Sequence, residues 1–231
     1  MKIGILETGI PPGRLGDMHG RYDAMVRDLL GDGHAFTTFR AFEGDLPADP
    51  AACDAYVITG SEAGVHDGLP WIDGLATFLR AARGRAKLVG ICFGHQLMAH
   101  AFGGVVDKAR QGWGLGLHRY RVTGRAPWMD DAAEIAVPAS HQDQVIAPPP
   151  GARVIAGSSF TPFAMLAYGG DAISCQCHPE FTPAFAAALV DVHEAADIPA
   201  TLKASARASL DDANDNARLA RWINGFLAGD A

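Results

Sequence analysis

The stretch Val89-Gly90-Ile91-Cys92-Phe93-Gly94-His95-Gln96 decides how this chain is read. An apolar run, Leu88 to Ile91, leads straight into a cysteine. A glycine follows two residues later, and then a helix-compatible segment, His95 to Phe102. Gly-x-nucleophile-x-Gly is the spacing of a strand–tight turn–helix elbow, here with sulfur where other elbows of that design carry a hydroxyl. A residue on so sharp a turn sits in a strained backbone conformation, and Cβ atoms beside it would strike the adjoining strand and helix. Gly90 and Gly94 remove those atoms. The turn also sets Cys92 at a helix N-terminus, where the macrodipole and unpaired N–H groups favour a thiolate. Taken alone, the octamer also fits a buried cysteine on a core strand, since free cysteine is among the most buried residue types.

A second motif separates the two readings. Gln176-Cys177-His178-Pro179-Glu180 closes a strand-like apolar run, Ala172 to Cys177. In an extended backbone, residues two apart point the same way, so His178 and Glu180 are expected on one face, with Pro179 stiffening the link. A carboxylate beside an imidazole fixes its tautomer and stabilises the imidazolium. Such an imidazole can take a proton from a thiol and return it to a leaving amine.

Gly-Ile-Cys-Phe-Gly-His-Gln followed far downstream by Cys-His-Pro-Glu resembles the class I glutamine amidotransferases. The likeness runs from about Lys2 to about Phe185 and leans toward stand-alone proteins related to the amidotransferase domain of GMP synthase. It implies that Cys92 attacks the side-chain amide of glutamine and forms a γ-glutamyl thioester, with His178 as base and acid and Glu180 orienting His178. It implies an oxyanion hole made by the N–H groups of Gly60 and Phe93, because charge developing on the carbonyl oxygen is best met by donors already in place. It makes Gln96 a substrate contact, and makes Gly112 to Gly116 the loop that closes over the glutamine pocket, with Trp113 on the substrate. Relatives often carry a second glycine where this chain has Ser61, and stand-alone relatives usually carry an acidic residue where it has Gly114.

The rest of the chain agrees with an α/β fold. Lys2 to Glu7, Ala35 to Phe42 and Ala55 to Ile58 read as strands. Tyr22 to Leu30 and Ile72 to Arg80 have apolar positions at helical spacing. Strand–helix alternation predicts an open, mainly parallel central sheet with helices on both faces, and the resemblance implies the flavodoxin-like three-layer arrangement of its family. Sites in such sheets gather at the carboxyl ends of strands, where Gly60 and Cys92 both fall. His118 to Thr123, Val154 to Ala156 and Phe163 to Tyr168 read as further strands, Ser140 to Val145 as a loop near the site, and Thr182 to Ala195 as a helix. The division expected is a domain over 1–195 and a helical extension over 196–231, built from Thr201 to Ser209 and Ala213 to Leu227. The extension carries an apolar stripe of Leu219, Trp222, Ile223, Phe226 and Leu227. That stripe suits packing on the domain, a homodimer face or a docking surface.

Composition narrows the function classes. The chain has 231 residues, 48% hydrophobic and 19% charged, with a formal charge of −7. It shows no basic stripe of the kind that nucleic acid requires, and no apolar run near the roughly 18–20 residues of a membrane span. Glu7 interrupts the first apolar stretch before a signal-peptide core can form. Cys53, Cys92, Cys175 and Cys177 have no disulfide-framework spacing and predict a reducing cytoplasm. Neither His95 and His100 nor the Cys175–His178 stretch has partners at metal-ligand spacing, so no metal is expected. No phosphate-cradling loop and no Ser-Gly-Gly-x-Asp-Ser loop is present, so no cofactor is expected either. Three functions remain: a glutaminase releasing ammonia to a separate acceptor or synthase subunit, a hydrolase of other γ-glutamyl compounds, and a non-enzymatic binding protein on the same fold.

Overall fold

A computed structural model describes residues 1–193 and 198–229. In chain order the elements are β1 (Lys2–Glu7), α1 (Leu15–His19), α2 (Tyr22–Leu30), β2 (Ala35–Arg40), β3 (Ala55–Ile58), α3 (Pro70–Ala82), β4 (Lys87–Ile91) and α4 (Phe93–Ala101). Then come β5 (Val105–Lys108), β6 (Gly114–Val122), β7 (Glu134–His141), β8 (Asp143–Ala147), β9 (Ala152–Gly157), β10 (Met165–Tyr168) and β11 (Ala172–Cys175). Three helices follow: α5 (Pro183–Val192), α6 (Ala200–Ser209) and α7 (Asn216–Ala228).

The main sheet has nine strands in the order β2-β1-β3-β4-β11-β10-β9-β6-β7. Its first five strands are mutually parallel, and the rest pair antiparallel. β5 and β8 form a separate antiparallel ribbon. Alternation along the parallel strands explains the layering. Ile3, Ile5, Val57, Val89 and Ile91 point to one face and share a core with Val26 of α2 and the stripe of α7. Leu6, Tyr56, Ile58 and Leu88 point to the other and meet Leu75 and Leu79 of α3 and Leu97 and Met98 of α4. Both faces are covered, as a parallel sheet requires.

Several boundaries differ from the sequence expectation. The second strand stops at Arg40, because Ala41–Glu43 tightens into a 3-10 turn closed by Gly44 in the left-handed region. The helix expected from Ile72 begins at Pro70, whose missing N–H costs nothing in a first turn. Ser140 to Val145 is not a loop: Ser140 and His141 end β7, Gln142 makes the turn, and Asp143 opens β8. Gly114 likewise already belongs to β6, so the expected pocket loop ends at Trp113. The stop at Ala195, and with it the boundary between 1–195 and 196–231, lies outside the described residues.

The apolar stripe of α7 is not a spare face. Leu219, Trp222, Ile223, Phe226 and Leu227 are all buried in the first core, each worth roughly 1.5–3 kcal/mol against exposure. The helix is fixed at both ends. Asp215 exchanges hydrogen bonds with Ala136 of β7 (2.7 and 2.8 Å). Lys87 donates to the carbonyls of Phe226 and Leu227 at 2.6 and 3.0 Å, where the helix C-terminus favours a cation.

Candidate active site

Between β4 and α4 a single residue, Cys92, makes the whole turn. It has φ 50° and ψ −102° and is the only non-glycine with positive φ among the described residues. Such a conformation costs about 1–3 kcal/mol and persists only where its surroundings enforce it. The Cys92 N–H donates to the Cys175 carbonyl (2.8 Å), the Gly94 N–H to Thr59 (3.2 Å), and the Gln96 N–H to Cys92 itself (3.0 Å). The flanking glycines are steric necessities. A Cβ on Gly90 would stand 2.6 Å from the Gly94 carbonyl oxygen, and one on Gly94 would stand 2.4 Å from that of Ile58.

His178 and Glu180 meet as their spacing suggests, although not on a strand. β11 ends at Cys175 and the pair sits in the turn that follows. The His178 N–H donates to the Pro138 carbonyl at 2.8 Å, which anchors that turn to β7. Nδ1 of His178 lies 2.8 Å from Oε1 of Glu180. That leaves Nε2 as the ring nitrogen available to Cys92. The imidazole is 3% exposed. Burial pushes its pKa down, but the charges of Cys92 and Glu180 and the hydrogen bonds to both hold it well above the usual histidine range. Phe181 lies flat on the ring, 3.9 Å between centroids and 8° from parallel, and Tyr22 stacks on Phe181 from beyond.

Gly60 lies beside both Cys92 and the imidazole of His178. A Cβ there would be 3.0 Å from Cε1 of His178 and 3.8 Å from Cβ of Cys92. The backbone N–H groups of Gly60 and Phe93 enter no hydrogen bond among the described residues. Thr8, at the end of β1, holds this turn. Its N–H donates to Oγ1 of Thr59, and its hydroxyl lies within bonding reach of the carbonyls of Thr59 and Gly60 (2.9–3.0 Å). Ser61 adds a bond from Oγ to the Thr8 carbonyl (2.7 Å), so its side chain helps close the turn.

Cys92, His178, Gly60, Gln96 and Trp113 line one cleft of about 740 Å³. Glu180 is reached through His178, and the Phe93 ring packs away from the cleft on Trp71, leaving only its backbone for the site. Gln96 is buried and spoken for: Nε2 donates to the Asp143 carbonyl (2.8 Å) and to Oε1 of Gln176 (3.3 Å). Gln176 completes that chain, its Nε2 lying 3.5 Å from Sγ of Cys92. A side chain at Gly114 would require the rings of Phe160, His141 and His118 to shift, since they would lie 2.9–3.2 Å from its Cβ. His95 is packed beneath the sheet end, with Nδ1 2.7 Å from Oγ of Ser174. Burial pushes the pKa values of His95 and His141 down to about 3 each.

Gln176, Thr8, Phe181 and Tyr22 were not singled out from sequence. Gln176 opens the quoted motif and Phe181 directly follows Glu180, so their place around His-Pro-Glu was the available signal. For Thr8 and Tyr22 no local pattern exists, since each meets the site only through tertiary contact.

The sequence model of class I glutamine amidotransferases matches residues 43–188, and the chain belongs to that family. Gamma-glutamyl peptidase 4 of Arabidopsis thaliana is 32% identical over 173 residues, 71% of this chain and 69% of that protein. The glutamine-hydrolysing GMP synthase of Thermus thermophilus is 31% identical over 169 residues, 71% of this chain but 32% of that enzyme. In fold, the crystal structure of a glutamine amidotransferase from Methylobacillus flagellatus superposes with a TM-score of 0.71 at 23% identity, covering 97% of this chain and 94% of that one.

Proposed function

We propose that the protein hydrolyses a γ-glutamyl amide through a cysteinyl thioester. The observation that carries this reading is the grouping of a strained, cleft-facing Cys92 with a His178 already bonded to Glu180. The raised pKa of His178, to which Cys92 contributes, supports a resting imidazolium beside the sulfur. Sγ attacks the amide carbonyl, and the negative oxygen is met by the N–H groups of Gly60 and Phe93. As the intermediate collapses, the C–N bond breaks and His178 passes its proton to the leaving nitrogen. His178 then takes a proton from water, the hydroxide attacks the thioester carbonyl, and glutamate departs while the proton returns to the Cys92–His178 pair. Glu180 keeps Nδ1 occupied throughout. Gln96 contacts the glutamyl group, and Trp113 lies against the substrate.

Family membership and the GMP synthase relative support glutamine as substrate, with ammonia passing to an acceptor or synthase subunit on another chain. The peptidase relative and the size of the cleft favour a second reading, in which the leaving group is a larger amine. Residues 196–231 serve as an extension of the same domain, for which the burial of α7 is the support. The free state of the four cysteines supports a reducing, cytoplasmic setting. Among the described residues no helix is long and apolar enough to cross a membrane.

The test is glutamate release from glutamine and from a set of γ-glutamyl amides, with Cys92→Ser as control. Release by the native protein and loss of at least about a hundredfold in the variant are expected. Equal turnover by the variant would remove the mechanism.

A further inference from the structure

The cleft that Cys92 and His178 line holds two groups of side chains of different chemistry. On one side the lining is charged. Asp143 and Asp67 bring carboxylate oxygens to 3.1 Å from the point where a side chain on Gly64 would begin. Lys108 stands next to them, with Nζ 2.8 Å from Oε1 of Gln142. This end suits the α-ammonium and α-carboxylate of a glutamyl head. On the other side the lining is mainly apolar and aromatic, with Glu62 near Tyr22 and His193 against Trp113. Phe181 covers His178, Tyr22 stacks on Phe181, and Leu189 packs into the same cluster. Val192, at the end of α5, is 41% exposed at the cleft, and Trp113 completes this wall.

The chemistry says which end takes which part of the substrate. A proton reaches the leaving nitrogen only from His178, so that nitrogen must lie against His178. Whatever it carries then meets Phe181, which covers the imidazole, and the side chains grouped with Phe181 along the cleft, Tyr22, Leu189 and Val192. On glutamine the nitrogen carries only hydrogens, and this wall would have nothing to touch. A cleft of about 740 Å³ is also of the size that encloses a drug-sized ligand rather than one small amino acid.

Resting on the hydrolase reading above, we propose that the apolar wall is a leaving-group subsite, and that the substrates are γ-glutamyl amides of amines with apolar, preferably aromatic, substituents. The reaction is γ-glutamyl-NH-R plus water giving glutamate and R-NH2. The C–N bond breaks as the C–S bond forms, the nitrogen leaves with the proton of His178, and water then supplies the oxygen and the proton that restore the free enzyme. No oxidant, metal or nucleotide enters.

The experiment compares kcat/KM of the purified full chain for glutamine, γ-glutamylglycine, γ-glutamylethylamide and γ-glutamylbenzylamide. The proposal expects a rise along that series, with the benzylamide ahead of glutamine by at least about tenfold, the scale on which an apolar pocket discriminates. In Val192→Asp, which alters an exposed helix end, the benzylamide-to-glutamine ratio should fall at least about threefold. Glutamine turned over as well as or better than the benzylamide would overturn the subsite and leave the hydrolase standing, and so would γ-glutamylglycine as the best substrate. If no member of the series were cleaved and a γ-glutamyl electrophile failed to label Cys92, the hydrolase reading would fall and this proposal with it.

Discussion

At the scale of single residues, the contact that most needs explaining is the one between Gln176 and the nucleophile. An amide N–H 3.5 Å from Sγ is a weak bond to a thiol but a stronger one to a thiolate, because charge-assisted bonds are about twice as strong as neutral ones. Gln176→Leu should therefore slow alkylation of Cys92 by iodoacetamide at fixed pH and lower kcat/KM about tenfold or more. An unchanged alkylation rate would reduce Gln176 to packing. Glu180→Gln tests the other side of the imidazole. The carboxylate is one of the causes holding the His178 pKa up, so its loss lowers that pKa, and the alkaline limb of the pH–rate profile should move to lower pH. The same shift bears on stability. A raised histidine pKa contributes stability that is fully present below its unfolded value of about 6.5 and is lost as pH rises through the folded value. Glu180→Gln should thus cost most stability in acid and least in alkali.

At the scale of elements, the elbow between β4 and α4 is where packing and chemistry coincide. Gly94→Ala would drive a methyl group to 2.4 Å from the Ile58 carbonyl oxygen, a backbone atom that cannot swing aside. We expect it to lower stability by about 3 kcal/mol or more, or to abolish soluble expression. Gly74, mid-helix in α3, meets nothing within 4 Å. Gly74→Ala should instead stabilise by about 0.5–1 kcal/mol, read from urea midpoints. The elbow was legible in sequence because two glycines and a strand-to-helix change lie within eight residues. The His178–Glu180 pair was legible for a partly different reason than expected. The spacing was right, but the backbone is a turn tied to Pro138, a contact 40 positions away that no local pattern encodes. Ser140 to Val145 was read as a loop because its polar residues hide the alternation of two short strands meeting at Gln142. Thr8 was invisible for the same kind of reason, since its hydroxyl matters only once β1 and β3 lie side by side.

At the scale of the whole molecule, a parallel half-sheet carries the site at its carboxyl edge, and the antiparallel half brings β7 up against it, with the start of β8 from the separate β5–β8 ribbon beside it. Polar residues are buried in that seam, and this sets the response to acid. Burial keeps His95 and His141 neutral down to about pH 3, while in the unfolded chain each takes up a proton near pH 6.5. The unfolded state therefore binds more protons between those limits, and stability must fall as pH drops through them. Each histidine contributes a slope of up to about 1.4 kcal/mol per pH unit. Urea midpoints taken from pH 7 to pH 4 should decline. His95→Asn, which can keep a hydrogen bond to Ser174, should flatten the decline, whereas an unchanged slope would mean His95 is protonated in the folded state.

The central claim is that a γ-glutamyl group passes through the sulfur of Cys92. The direct measurement is acid quenching during turnover of a γ-glutamyl amide, followed by mass spectrometry of the peptide that contains residue 92. The account predicts a glutamyl group on Cys92, discharged by hydroxylamine and never formed in Cys92→Ala. Steady turnover with no acylated Cys92, or undiminished turnover by Cys92→Ala, would contradict it.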